Sequence, residues 1–167
     1  PGGRHDDQFI ATAHEYCFYY SKKKSVAKSN LLPLEEDDID SFKLKDEFGM
    51  YRTRDFRRSG NNSTRESRPL MYYPIFIKNN LFHLISDEEC NLIFDKTTSE
   101  FNDGYMLELN NKYSAMGFEM VLPADPNDVK RVWRWGLKTL RNKLSEVFFQ
   151  NDKKGKPKIK VKDRLDN

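Results

Sequence analysis

The sequence predicts an α+β domain: a small mixed or antiparallel sheet with a few short helices. Three observations carry that expectation. Leu70-Met-Tyr-Tyr-Pro-Ile-Phe-Ile77 and residues 81–85 are short, apolar and aromatic runs on either side of the turn pair Asn79-Asn80, the pattern of a β-hairpin. Ser86-Asp-Glu-Glu89 has capping-box spacing and opens a short helix running to Phe94. Residues 137–149 place Leu137, Leu140, Leu144, Val147 and Phe148 along one stripe, which predicts an amphipathic helix. A length of 167 residues suits one domain with extensions better than two domains. Twelve Phe, eight Tyr and two Trp supply much of the burial that a 37% hydrophobic content would otherwise leave thin.

The other elements follow in order. Residues 1–8 are polar and turn-like, and the chain opens Pro1-Gly-Gly without a methionine, which suggests a piece of a larger protein. Residues 9–20 end in a near-continuous apolar run, as a strand inside a sheet would. His5, Asp6, Asp7, His14 and Glu15 match no metal-ligand spacing. The acidic run Glu35-Glu-Asp-Asp38 leads into a short helix near 35–42, with Ile39 and Phe42 as its buried stripe. Asn102-Asp-Gly104 reads as a turn, residues 105–109 alternate like a strand, and residues 117–122 form another strand stopped by Pro123-Ala-Asp-Pro126. Val132-Trp-Arg-Trp135 reads as extended. Its two tryptophans then face the same way, onto a shared apolar surface or as platforms for a nucleic-acid base.

The chemistry concentrates between Tyr51 and Arg68. That stretch holds Arg52, Arg54, Arg57, Arg58, Arg65 and Arg68 against Asp55 and Glu66, and it contains no lysine. A guanidinium is a rigid planar fork that grips a phosphate or a guanine edge at two points, whereas an ammonium is a mobile point charge. The middle, Ser59-Gly-Asn-Asn-Ser-Thr64, is a polar loop in which Asn61 and Asn62 can meet base edges. Because apolar strand follows directly, the basic segment reads as a positioned binding loop and not as a loose tail. The alternative is a solvated surface of partly paired charges.

The net charge is only +3, but it is unevenly spread: residues 153–164 carry seven Lys or Arg and one acid. An anionic partner on one side fits that distribution. Cys17 and Cys90 are far apart, with no neighbouring His at ligand spacing, and read as free thiols of a reducing compartment. No apolar run approaches the length of a membrane span, and no signal peptide opens the chain.

Several blocks coincide with a known pattern. They are Gly2-Gly-Arg4, Phe9-Ile-Ala-Thr-Ala-His-Glu-Tyr16, Tyr20-Ser-Lys22, Leu34-Glu-Glu-Asp-Asp-Ile-Asp40 and Lys45-Asp-Glu-Phe-Gly49. Tyr51-Arg-Thr-Arg-Asp-Phe-Arg-Arg58, Arg65-Glu-Ser-Arg-Pro69, Tyr72-Tyr-Pro-Ile75 and Trp133-Arg-Trp135 complete the set. Together they resemble the β-class DNA adenine-N6 methyltransferases, above all the modification subunits of type III restriction systems. In that family an Asp-Pro-Pro-Tyr motif carries catalysis and a Phe-x-Gly-x-Gly-type motif carries S-adenosylmethionine. Neither occurs here, and Ala124-Asp-Pro-Asn127 lacks the second proline and the tyrosine.

The resemblance therefore implies a target-recognition region. Residues 1–24 would close the catalytic domain, 25–50 would connect and 51–150 would recognise DNA, while residues 151–167 read from their own composition as a basic linker or exposed turn. It implies no catalytic, metal or cofactor residues in this chain, with S-adenosylmethionine bound elsewhere in the parent. Double-stranded DNA is the implied partner, with a second modification subunit and a restriction subunit in the bacterial cytoplasm. The DNA-binding candidates are Arg52, Arg54, Arg57, Arg58, Asn61, Asn62, Arg65 and Arg68. An independent RNA- or single-strand-binding module is the alternative, with Tyr72, Tyr73, Trp133 and Trp135 as stacking platforms.

Overall fold

The computed structural model describes residues 20–28, 39–151, 155 and 157–165. The chain divides into two compact units, Pro1–Glu35 and Glu36–Asn167. In the first, the described segment holds a 3-10 turn at Lys24–Val26. The strand expected over residues 9–20, the His5-to-Glu15 group and Cys17 fall outside the described residues, apart from Tyr20.

Antiparallel sheets organise the second unit. In one, the strand order is β1 (Leu44–Asp46), β2 (Gly49–Asp55), β9 (Pro157–Arg164), β8 (Val147–Asn151). The segment expected as a basic linker is thus an interior strand, hydrogen-bonded on both sides. Its alternation explains this: Ile159 and Val161 are buried, while Lys158, Lys160, Lys162 and Arg164 occupy the opposite face. There Asp55 pairs with Lys158 and Lys160, Asp46 with Lys162 and Arg164, and Glu146 with Arg164. The β9 cations are largely neutralised by the sheet itself.

A second sheet has the order β4 (Leu81–Leu84), β3 (Ile75–Lys78), β7 (Glu119–Val121). The expected hairpin is present. Asn79 and Asn80 take φ of 49° and 66°, the paired left-handed conformation that the right-handed twist of the strands favours. Helix α1 (Asp87–Ile93) carries the expected capping box: Ser86 Oγ accepts from the Glu89 amide at 3.1 Å, and Glu89 Oε2 accepts from the Ser86 amide at 2.9 Å. A small hairpin, β5 (Phe94–Asp95) with β6 (Glu100–Phe101), follows.

Three expectations change. Residues 105–109 lie in helix α2 (Asp103–Ala115), not in a strand. The Asn102 side chain accepts from the Tyr105 amide at 2.9 Å, so Asn102-Asp-Gly104 starts a helix, and the buried Met106, Leu109 and Tyr113 are spaced for one helix face. The long helix of residues 137–149 stops early, as α3 (Leu137–Asn142). A 3-10 turn at Leu144–Glu146 follows, then β8, because Val147-Phe-Phe149 is a β-branched and aromatic run that fits a pleated surface. Finally, of the expected Ile39/Phe42 stripe only Phe42 is buried, and residues 35–38 are not described.

Most buried hydrophobic side chains among the described residues gather in a cluster. Phe56, Tyr73, Ile75, Phe76, Ile85 and Leu140 are buried at its centre, and Ile159 and Val161 join it from the first sheet. No helix among the described residues is long and apolar enough to cross a membrane.

Candidate nucleic-acid interface

The arginine-rich stretch is more ordered than a loop. Arg52 and Arg54 lie within β2, and the chain continues past Phe56, whose amide donates to Ile159 O at 2.9 Å. Residues 130–134 then fasten the rest. Arg57 pairs with Trp133 and Thr64 with Arg131 as antiparallel bridges. The Arg58 amide donates to Val132 O at 2.8 Å, and the Arg65 amide donates to Lys130 O at 3.1 Å. The backbone between Phe56 and Arg65 is therefore clamped at both ends. What lies between is a turn in which Gly60 and Asn62 take positive φ (84° and 55°), a conformation that costs little for Gly and Asn. Ser63 is fully buried: its hydroxyl donates to Gly60 O at 2.6 Å and accepts from Arg131 Nη1 at 3.0 Å.

Trp133 anchors this arrangement. Its ring stacks on Phe56 at 5.3 Å, and its Nε1 donates to Tyr73 O at 2.8 Å. Tyr72, Tyr73 and Trp133 are all buried, which removes three of the four expected stacking platforms. Trp135 is half-buried, edge-on to Phe56 at 5.4 Å, with Lys143 Nζ 5.6 Å from its ring centre.

The side chains of the candidate arginines fall into three groups. Arg52 is fully engaged, with Nε to Asp163 at 2.8 Å, Nη1 to Ser41 Oγ at 2.6 Å and its guanidinium over the Phe42 ring at 4.5 Å. Arg65 is engaged as well. It forks onto Asp103 at 2.6 and 3.1 Å, reaches Glu66 at 3.2 Å and lies over the Phe101 ring at 4.4 Å. Its hydrogen bonds hold the Asp103 carboxyl below the usual carboxylate range, and Asp103 in turn raises Arg65. Arg54 and Arg68 are half-engaged: Arg54 touches Asp163 at 3.3 Å, and Arg68 Nε donates to Asn62 O at 3.1 Å. Among the described residues, the side chains of Arg57 and Arg58 have no hydrogen bond or ion pair. Asn61 is exposed beside them.

The sequence pointed to none of Lys130, Arg131 and Arg134, which stand on the clamping segment next to the arginine stretch. The available signal is the basic run Lys130-Arg-Val-Trp-Arg134, which stands outside the arginine-rich stretch. Lys130 joins Asp103 at 3.1 Å, and Arg131 pairs with Asp125 at 2.9 Å.

No three His, Cys, Asp or Glu side chains among the described residues gather to hold a metal ion. Two concavities lie among the described residues, one at Phe42, Met50 and Leu165 and the other between α1 and the β5–β6 hairpin.

The chain is 26% identical over 155 residues to the type III restriction-modification enzyme EcoPI Mod subunit of Escherichia phage P1. It is a relative of the restriction-modification DNA methyltransferases. The match takes in 92% of the chain and 21% of the Mod subunit. A second relative, the type II methyltransferase M.KpnI of Klebsiella pneumoniae, is 28% identical over 147 residues, 87% of the chain and 28% of that protein. The chain thus spans between a fifth and under a third of the length of these methyltransferases. One is type III and the other type II, so the likeness is not confined to one type. No family model matches the chain, and no solved structure is significantly similar to it.

Proposed function

We propose that this chain is the duplex-DNA target-recognition region of a bacterial adenine-N6 methyltransferase of a restriction-modification system, of the type III modification-subunit kind. The observation that carries the reading is the pair Arg57 and Arg58. Their side chains have no acid partner among the described residues, yet their backbone is held by the bridge to Trp133 and the hydrogen bond to Val132. A positioned cation without a counter-ion is suited to meeting phosphate.

Arg54, Arg57 and Arg58 hold the DNA backbone. Asn61, Asn62 and Arg68, on the turn beyond, face base edges. Arg52 and Arg65 serve the same surface by fixing β2 and the turn in place. Methyl transfer, and S-adenosylmethionine, belong to other parts of the parent. There this region works alongside a second modification subunit and a restriction subunit in the cytoplasm.

Competition binding tests the reading. Unlabelled duplex should displace labelled duplex from the protein at lower concentration than single-stranded DNA or RNA of the same length. Equal or better displacement by single strands would support the alternative module, for which only Trp135 is left as a half-exposed platform. The isolated chain should transfer no methyl group from labelled S-adenosylmethionine to an adenine-containing duplex.

A further inference from the structure

The arginine between the two tryptophans is set apart by the fold. The bridge between Arg57 and Trp133 puts residue 134 opposite Phe56, midway along the chain between Arg54 near the end of β2 and Arg58 just beyond it. The Arg134 amide donates to Phe56 O at 2.9 Å, which fixes the register. Its Nε donates to Asp55 O at 2.7 Å, which fixes the guanidinium plane. Among the described residues its two terminal nitrogens have no hydrogen bond or ion pair. The nearby carboxylates are already engaged: Asp55 takes Lys158 and Lys160, while Asp163 takes Arg52 at 2.8 Å and only reaches Arg54 at 3.3 Å. Burial, and then the like charges of Arg54 and Arg58, push the Arg134 guanidinium below its ordinary range, although an arginine stays charged at neutral pH. Arg54 and Arg58 thus both repel Arg134, and a bound anion offsets that cost. A guanidinium whose Nε is already held presents its outer pair of nitrogens in the fork that matches two oxygens of a phosphate.

We propose that Arg54, Arg58 and Arg134 form a clamp for a single phosphodiester of duplex DNA, with Arg134 aimed by the Asp55 carbonyl. This inference rests on the duplex-binding reading above and adds the residue that the arginine stretch alone does not contain.

The test scans a duplex in which one phosphate at a time is replaced by a neutral methylphosphonate, using the intact protein, R134A and R134K. For the unsubstituted protein, one position should weaken binding about ten- to a hundredfold, the equivalent of losing hydrogen bonds to a charged group. R134A should bind that modified duplex and the unmodified one alike, because the contact is already gone, and R54A and R58A should lose sensitivity at the same position. R134K keeps the charge but not the fork, so it should keep the salt dependence and lose about tenfold in affinity. It carries the test by itself if thermal unfolding shows that R134A does not fold. If the unsubstituted protein binds no duplex, both the underlying reading and the clamp fail. If it does bind, and replacing Arg57 weakens it, but R134A and R134K respond to every methylphosphonate as the unsubstituted protein does, then the clamp is wrong and the duplex-binding reading stands.

Discussion

At the scale of single residues, the arginines of the 51–68 stretch divide by what already holds them. Arg65 is held on every side: its side chain is only 15% exposed, forks onto Asp103 and lies over Phe101. Replacing it with alanine should lower the stability of the second unit by about 1–2 kcal/mol, combining a partly exposed ion pair with a cation–π contact. Asp103→Asn should do a similar amount of damage, and thermal unfolding of both variants measures it. Trp133 matters more, because it is buried against Phe56 and donates to Tyr73 O. Trp133→Ala should cost about 3–5 kcal/mol and free the arginine segment, seen as faster hydrogen exchange at the Arg58 amide. Arg68 is different. Only its Nε is used, by Asn62 O, so Arg68→Ala should leave stability unchanged while removing about 1–3 kcal/mol of preference for the target over a scrambled duplex. Composition showed that this stretch was basic. It could not show which guanidiniums were occupied, because their partners Asp103 and Asp163 lie far along the chain and reach them only through the fold.

At the scale of elements, what the sequence revealed depended on how local the signal was. The hairpin at Asn79-Asn80 and the capping box at Ser86 are complete within a few residues, and both were legible. Helix α2 was misread because Asn and Asp serve turns and helix N-caps equally, and because Tyr105, Leu107 and Leu109 imitate a two-residue period. In the fold, Leu107 is exposed, and Met106, Leu109 and Tyr113 form the buried face. Strand β9 was legible in its alternation but hidden by its charge: lysines on one face suggested a linker, although Ile159 and Val161 on the other face gave it a core side. Its role can be tested by Ile159→Ala. The substitution should cost about 2–5 kcal/mol and loosen β2, the strand that carries Arg52 and Arg54. A variant as stable as the parent would mean that β9 adds little to the sheet.

At the scale of the whole molecule, charge bears on stability and on the proposed binding of DNA. Hydrogen bonds from Arg164 and then Lys162 hold the Asp46 carboxyl well below the ordinary range, and Arg65 does the same for Asp103. Burial would raise Asp55, but Lys160 and Lys158 outweigh it and leave it lowered as well. Carboxylates that bind protons less readily folded than unfolded contribute stability above the ordinary pKa and lose it as pH falls through the folded values. The melting temperature should therefore hold from neutral pH down to about pH 5 and fall steeply below about pH 4. The measurement that bears most directly on the central claim is duplex binding over a salt series, comparing the intact protein with R57A/R58A. Each phosphate contact contributes about −0.9 to the slope of log affinity against log salt, so the double variant should bind every sequence more weakly, with a slope shallower by about 1.8. An unchanged affinity and an unchanged slope would show that the DNA runs elsewhere and that this arginine surface is only solvated charge.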